Sequence, residues 1–355
     1  MPLTRRSLMT AMATAGGAGL FGVPAFSGPA FATDKRVLDI SIVGFTLGIH
    51  IPAVYALRQG IAEMPGYAPF NVSRIDRLPA ISQAIVSGQG DLADGDVVST
   101  LKAAEAGADV RIIGLTYNNT SQVYVANAAR VRSIEDLGKP GVTVAVNAMG
   151  DFMHVMLMGP LTKRGLDPDK LTVMEIGGSG NRMRALMAGR VDAVPVHFDQ
   201  AQEMARKGNF IILIEPWMEY DTWFGQVLFT TDRWLSKPAN RRAAVDVLKA
   251  VLIAFRRANR DLDWFTEQYR AFATINQARD AKREDLRDIW ATLAETIRAW
   301  PDDMDTLAPE HFANLMPHYR RAGALSGKID FERVIDRTCL DQALYELKQT
   351  SNQPG

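Results

Sequence analysis

The chain has 355 residues, of which 47% are hydrophobic and 23% are charged, a composition that excludes a disordered chain. Its 40 basic and 40 acidic residues give a formal net charge of +0, and removal of residues 1–32, which hold two arginines and no acid, leaves 38 − 40 = −2. Neither value indicates a nucleic-acid-binding surface, so no nucleic-acid partner is expected.

Residues 1–32 have the features of a signal peptide. The segment begins with Arg5-Arg6, continues through a weakly apolar, glycine-rich stretch and ends in Ala30-Phe31-Ala32. The arginine pair resembles a twin-arginine signal, but the residues after it depart from that motif, so Sec export stays open. Because the apolar run is shorter than the ~20 residues of a membrane span, we expect cleavage after Ala32 and a periplasmic protein. Cys339 is the only cysteine, so no disulfide can form within the chain.

From residue 37 the chain alternates predicted strands with predicted helices, as in parallel sheets with helical crossovers. The predicted strands cover residues 37–45, 70–75, 110–115, 142–146, 171–176, 210–214 and 227–230. The predicted helices cover residues 51–63, 78–87, 96–106, 152–163 and 182–187, and then 241–261, 283–300, 310–319 and 339–347.

One ten-residue segment occurs twice. Residues 84–93 return 101 residues later as residues 185–194, and each copy ends a helix at a glycine, Gly88 or Gly189. Each copy then opens a short strand with Asp91 or Asp192. The repeat predicts one α/β unit built twice, as two lobes that face each other across a ligand-binding cleft. We expect the repeated Gly and Asp to be structural and the residues after them to be functional.

Four stretches carry a resemblance to a known family. They are Gly44 with His50, Ser87-Gly88-Gln89-Gly90-Asp91, Ser133-Ile134-Glu135-Asp136-Leu137-Gly138-Lys139 and Gly189-Arg190-Val191-Asp192-Ala193. From about residue 38 to about residue 234 the chain resembles the extracytoplasmic solute-binding proteins of ABC importers, in the group for nitrate, sulfonates, taurine and thiamine precursors.

The resemblance implies a two-lobed α/β fold of the periplasmic-binding-protein type. Each lobe would be a mostly parallel sheet flanked by helices, with a helical C-terminal extension. Lobe 1 would comprise residues 33–118 plus 223–355, and lobe 2 residues 119–222. Two crossing strands would join the lobes, and the protein, a monomer, would present its closed form to a membrane permease that works with an ATPase.

Candidate ligand-binding residues come from the loops that follow strands, because ligands of α/β sheets bind beyond the carboxyl ends of the strands. They are Thr46, His50, Asp96, Tyr117, Asn147, Asp151, Phe152, Ser179, Arg182, His197, Phe198 and Trp223.

These candidates do not agree on one ligand class. Arg182 and the glycines of residues 177–180 could form an anion site, although a plain turn explains the glycines equally well. Asp96 and Asp151 disfavour a bare anion, although an acid at a helix start is also a usual N-cap. The aromatic loops suit flat or cationic ligands, and about half of these rings are expected in the core. The ligand stays open between an aromatic or nitrogen-heterocyclic compound and a small sulfonate or nitrate.

His50 precedes a helix, so the helix dipole should lower its basicity, and a solvated histidine at a helix start remains the alternative. Fungal thiamine-pyrimidine synthases, enzymes on the same fold, have a histidine near this place together with a cysteine-rich motif. No such motif occurs here.

Motifs for catalysis and cofactors are missing from the sequence. No Gly-x-Ser-x-Gly and no His-Glu-x-x-His occurs. Met183 stands where a dinucleotide fingerprint needs glycine, and no P-loop is present. Asp151 and His154 share a helix face, but two ligands do not make a metal site. We therefore expect no cofactor, no metal and no enzymatic activity; the alternatives are an enzyme on the same fold and a ligand-sensing subunit of a membrane receptor.

Overall fold

The computed structural model describes residues 35–220, 222–275 and 278–351, so the predicted signal peptide lies outside the described residues. The strands are β1 Asp39–Val43, β2 Asn71–Ile75, β3 Leu92–Asp96, β4 Val110–Leu115, β5 Gln122–Asn127, β6 Thr143–Val146, β7 Thr172–Glu175, β8 Ala193–His197, β9 Phe210–Ile214 and β10 Gln226–Thr231. The helices are α1 Ile51–Arg58, α2 Leu78–Val86, α3 Val97–Glu105, α4 Phe152–Met156, α5 Met158–Lys163, α6 Ser179–Met187, α7 Phe198–Lys207, α8 Pro216–Glu219, α9 Asp232–Leu235, α10 Pro238–Ala258, α11 Leu262–Phe272, α12 Arg283–Ala291, α13 Pro309–Asn314, α14 Met316–Arg321, α15 Phe331–Val334 and α16 Thr338–Ser351.

The ten strands form two five-stranded sheets of the same design. The first has the order β2-β1-β3-β10-β4 and the second the order β7-β6-β8-β5-β9. In each sheet the fourth strand runs antiparallel to both neighbours and the first three run parallel. The predicted fold class, two mostly parallel sheets flanked by helices with a helical C-terminal region, is confirmed.

The ten-residue repeat corresponds to equivalent elements of the two sheets. Helices α2 and α6 begin 101 residues apart, and so do strands β3 and β8. Gly88 (φ 82°) and Gly189 (φ 66°) both adopt the left-handed conformation that ends a helix. Asp91 accepts a hydrogen bond from the first N–H of β1 (2.9 Å), and Asp192 accepts one from the first N–H of β6 (2.8 Å). The repeated Gly and Asp therefore terminate a helix and tie two strands together.

Strand β5 was not predicted. It is the antiparallel strand of the second sheet, between β8 and β9, and five of its six residues are buried. A strand buried on both faces lacks the alternation of apolar and polar residues by which a half-exposed strand is recognised. Its counterpart β10 was predicted as residues 227–230, one residue short at each end.

Some predicted helix bounds were wrong. The helix predicted over residues 152–163 is divided into α4 and α5, because the Tyr220 hydroxyl donates to the Met156 carbonyl (2.8 Å) and accepts from the Gly159 N–H (2.9 Å). The next residue, Pro160, has no N–H to continue the helix. The helix predicted over residues 310–319 is likewise divided into α13 and α14, with a proline in the first turn of α14. Helix α12 ends at Ala291, before a π-turn, and α11 was not predicted.

The C-terminal helices pack against the first sheet. Helix α10 contacts α1 and α16, while α15 and α16 contact β4. The close approach requires a glycine in β4, because a Cβ at Gly114 would lie 2.6 Å from the Leu248 side chain of α10. These contacts merge the C-terminal helices into the larger hydrophobic core, and a smaller core lies in the second sheet.

Candidate functional site: a cavity between the two sheets

A small cavity lies between the two sheets, with a volume of about 40 Å³. Since one water needs roughly 10–15 Å³ of such space, the cavity has room for roughly three waters. Strand ends and the loops after them, from both sheets, form its lining: Val43, Gly44, Phe45, His50, Asp76, Leu78, Tyr117, Gln122, Asn147, Phe152, Met153, Gly178, Ser179, Arg182, His197 and Gln226.

Hydrogen bonds beside the cavity join its two sides. Asp199 Oδ2 accepts from Gly48 N–H (3.1 Å), Asp96 Oδ1 accepts from Phe152 N–H (3.2 Å), and Asn147 Nδ2 donates to the Asp76 carbonyl (3.1 Å). Each of these bonds joins a residue of the first sheet's lobe to one of the second. The three bonds therefore bridge the two sides of the cavity.

Four lining side chains each have a buried polar atom that makes no hydrogen bond of normal length and angle in the described part of the chain. These atoms are His50 Nε2, the Tyr117 hydroxyl, Gln122 Oε1 and Gln226 Oε1. A buried polar atom without a partner costs about 1–3 kcal/mol. Four such atoms around one cavity indicate a place where a bound molecule supplies the missing partners.

His50 is a neutral donor. Its Nδ1 accepts a hydrogen bond from the Leu47 N–H (3.2 Å), so the proton of the neutral ring lies on the unpartnered Nε2. Burial lowers the pKa of His50 to about 4, and a weaker hydrogen-bond interaction with the Gln226 side chain opposes this shift. The sequence predicted low basicity for His50, and the structure attributes it chiefly to burial.

His197 connects two polar side chains of the second lobe. Its Nδ1 lies 2.8 Å from Ser121 Oγ, and its Nε2 lies 2.6 Å from Gln122 Nε2. The Gln122 amide donates to Nε2, so His197 carries its proton on Nδ1 and donates to Ser121. Burial holds the pKa of His197 well below its usual value. This series of hydrogen bonds fixes the orientation of the Gln122 amide, so its oxygen is the unpartnered atom.

Arg182 lines the cavity, but it donates mainly to the protein. Its Nε donates to the Pro195 carbonyl (2.8 Å), one Nη donates to the Gly177 carbonyl, and the other lies 3.1 Å from the Met153 sulfur. Burial lowers the pKa of Arg182 to about 10, so the side chain stays cationic at neutral pH. The Arg182 side chain thus ties α6 to β8 and to the turn before α6.

The glycine-rich turn before α6 makes room for an aromatic ring. A Cβ at Gly178 would lie 2.9 Å from the Phe45 ring, and one at Gly180 would lie 3.2 Å from it. Phe45 follows β1 in the other lobe, so its ring closes the cavity against the start of α6. Ser179, the first residue of α6, also lines the cavity.

Asp96 and Asp151 are helix caps outside the cavity lining. Asp96 accepts from the Ser99 N–H (2.8 Å) at the start of α3, and Asp151 accepts from the His154 N–H (2.8 Å) at the start of α4. Burial raises the pKa of Asp96 to about 6 and that of Asp151 to about 7, to which the charge of Asp96 also contributes. Both acids therefore act as helix N-caps, which was the alternative to a ligand-binding role in the sequence analysis.

The remaining candidates divide between the cavity lining and positions outside it. Tyr117, Asn147 and Phe152 line the cavity. Thr46, Phe198 and Trp223 do not.

Each of these three has another partner. Thr46 Oγ1 accepts from Arg74 (2.9 Å), and the Phe198 ring packs on Trp217. The Trp223 ring is fully buried against Tyr220, at 4.4 Å between centroids.

Sequence reasoning missed Gln122 and Gln226. The two glutamines occupy equivalent places, because each is the first residue of the antiparallel strand of its sheet. Gln226 pairs in register with Asp96, and Gln122 pairs with His197. Asp96 and His197 are themselves 101 residues apart, so the sheet pairing relates the two glutamines to the two copies of the repeat.

Within the described residues, no group of three or more His, Cys, Asp or Glu side chains could hold a metal ion. Helices long and apolar enough to cross a membrane are likewise not found among residues 35–220, 222–275 and 278–351.

Comparison with known proteins gives one family. The family described as NMT1/THI5 like matches residues 79–259, which are 259 − 79 + 1 = 181 of the 355 residues. No curated protein sequence matches the chain.

Solved structures of low sequence identity share the fold. The periplasmic nitrate-binding protein of Synechocystis PCC 6803 has a TM-score of 0.72 at 12% identity, covering 89% of this chain and 90% of its own. The alkanesulfonate-binding protein of Xanthomonas axonopodis pv. citri, bound to MOPS, has a TM-score of 0.66 at 16% identity, with coverage of 86% and 99%. The ligand-binding component of an ABC-type import system from Staphylococcus aureus, with zinc bound, has a TM-score of 0.69 at 11% identity, with coverage of 87% and 99%. The resemblance inferred from sequence is confirmed.

Proposed function

Because the chain belongs to the NMT1/THI5-like family, we propose that it is the extracytoplasmic solute-binding component of an ABC uptake system. It captures a small organic solute between lobe 1, residues 33–118 plus 223–355, and lobe 2, residues 119–222. It acts in the periplasm as a monomer, after removal of residues 1–32, and delivers the solute to a membrane permease that works with an ATPase.

The observation that carries this proposal is the set of four unpartnered polar atoms around the cavity. His50, Tyr117 and Gln226 come from one lobe and Gln122 from the other. A solute that pairs with atoms of both lobes binds the closed form more tightly than the open form, and so it drives closure. A permease that recognises the closed form would then distinguish loaded from empty protein.

The proposal is tested by a thermal-shift panel of sulfonates, nitrate, amides and nitrogen heterocycles. A solute at 100 times its dissociation constant adds about 2.7 kcal/mol to the free energy of unfolding, which raises the melting temperature by a few degrees. Gln226→Ala should reduce the shift, while Gln89→Ala, at an exposed glutamine of the same lobe, should leave it unchanged.

Two results would count against a transport function. If no solute of the panel raised the melting temperature, the proposed solute-binding function would be contradicted. If a solute that did so were chemically converted, the chain would be an enzyme on this fold. Neighbouring genes for a permease and an ATPase distinguish uptake from a sensing subunit.

A further inference from the structure

We propose that the solute is an uncharged molecule with an amide-type edge, such as an amide, a urea or a lactam, and that it is not an oxyanion. This inference rests on the proposed function and concerns the ligand class of the same cavity.

The unpartnered atoms include both donors and acceptors. His50 Nε2 and the Tyr117 hydroxyl carry protons to donate, while Gln122 Oε1 and Gln226 Oε1 can only accept. An amide supplies a carbonyl for the donors and N–H groups for the acceptors. A nitrate or a sulfonate has no proton to donate, so it would leave both glutamine oxygens unpaired and add repulsion.

The charges of the lining also disfavour an anion. Of the lining residues, all of which are described, Arg182 is the cation and Asp76 is the acid. The two formal charges cancel. Both lining histidines are neutral, since burial lowers their pKa values. A buried anion needs a partner of opposite charge, and the Arg182 guanidinium already donates to two carbonyl oxygens.

The start of α6 is the place where an anion would otherwise bind, and the Phe45 ring packs against it. The ring lies against the Cα atoms of Gly178 and Gly180, close enough that a Cβ at either position would crowd it. Phe45, Tyr117 and Phe152 together give the cavity flat apolar walls, which suit a planar neutral group better than a hydrated ion.

The experiment compares molecules of nearly equal shape that differ in charge. The pairs are urea and nitrate, acetamide and acetate, and methanesulfonamide and methanesulfonate. Dissociation constants are measured by titration with the full exported chain at pH 7.5 and constant ionic strength. We expect the amide of at least one pair to bind at least tenfold more tightly than its anion, with no anion preferred in any pair.

Preference for the anion in any pair, or no amide with a tenfold advantage, would overturn the inference. Tight binding of an anion would leave the proposed function standing, whereas failure of every solute in the panel above would remove both. Gln226→Ala should weaken amide binding about tenfold by removing one acceptor, and Gln89→Ala is the control. Melting temperatures of both variants without solute establish that they are folded.

Discussion

At the residue scale, the protein buries several ionisable groups that have no partner of opposite charge within ion-pair distance in the described residues. Asp94 is one of these. It accepts a single hydrogen bond from the Thr116 hydroxyl (2.8 Å), and burial raises its pKa to about 7. Folded protein therefore binds the Asp94 proton more tightly than unfolded protein does.

The sign of the resulting pH dependence follows directly. Between about pH 4 and pH 7 the native state holds more protons on Asp94 than the unfolded state, so the free energy of unfolding falls as the pH rises. Asp94→Asn keeps the acceptor for Thr116 and cannot ionise. We predict that the variant gains stability relative to wild type across this window, by on the order of 4 kcal/mol at most, and levels off above pH 7.

Urea unfolding at several pH values checks this prediction. The lowered pKa values of His50 and His197 act in the opposite direction below pH 6.5, but they are common to both proteins and cancel in the difference. Asp303→Asn, at an exposed position, controls for the substitution itself. A difference that did not change with pH would mean that Asp94 is ionised in the folded protein.

Whether a cavity-lining residue could be predicted from the sequence depended on its residue type. His50, Tyr117 and Arg182 were identified because each follows a predicted strand or opens a helix. The glutamines belong to no motif and each begins a strand, so only the sheet pairing brings them to the cavity. The direction of the Arg182 side chain could not be predicted from the sequence either, because its acceptors are backbone carbonyls of the neighbouring turn and strand.

At the element scale, the Phe45 ring packs across the cavity against Gly178 and Gly180 at the start of α6. We predict that Gly178→Ala weakens solute binding about tenfold, because the added Cβ would lie 2.9 Å from the ring. Phe45→Leu should restore part of the affinity in the double variant.

Titration of the single and double variants measures this coupling. Gly138→Ala is the control, because a Cβ there meets no atom within 4 Å. If Gly178→Ala and Phe45→Leu had additive effects on the dissociation constant, the ring and the glycine would not be coupled.

The break between α4 and α5 makes a separate prediction. The Tyr220 hydroxyl satisfies one carbonyl and one N–H at this break, so Tyr220→Phe leaves both without their partner. We expect a loss of about 1–3 kcal/mol in the free energy of unfolding, measured in urea. An unchanged midpoint would show that the break does not depend on the hydroxyl.

The sequence predicted well those strands and helices that have a regular apolar pattern or a distinct terminating residue. Strands β4 and β9 have the predicted bounds, and α2 begins at the predicted residue. The errors arose where tertiary contacts override local pattern, as in the buried strand β5 and at the Tyr220 contact.

At the scale of the whole molecule, contacts outside the cavity also join its two sides. Asp199 of α7 accepts from Gly48 at the start of the first lobe's helices (3.1 Å) and lies 3.5 Å from the Tyr269 hydroxyl of α11. We predict that Asp199→Ala weakens solute binding by about tenfold although Asp199 does not line the cavity, because the closed form loses a bond that the open form lacks.

Small-angle scattering and titration together test this prediction. Solute should compact the wild type and should compact the Asp199→Ala variant only at higher concentration. Equal dissociation constants for the two proteins would mean that Asp199 has no part in closure.

The central claim is that one solute is held by both lobes at once. The most direct measurement is a calorimetric titration of the tightest-binding solute against wild type, Gln122→Ala and Gln226→Ala. The claim predicts one site per chain and a dissociation constant raised about tenfold by each substitution, since each removes an acceptor from a different lobe. An affinity that survives either substitution unchanged would contradict it.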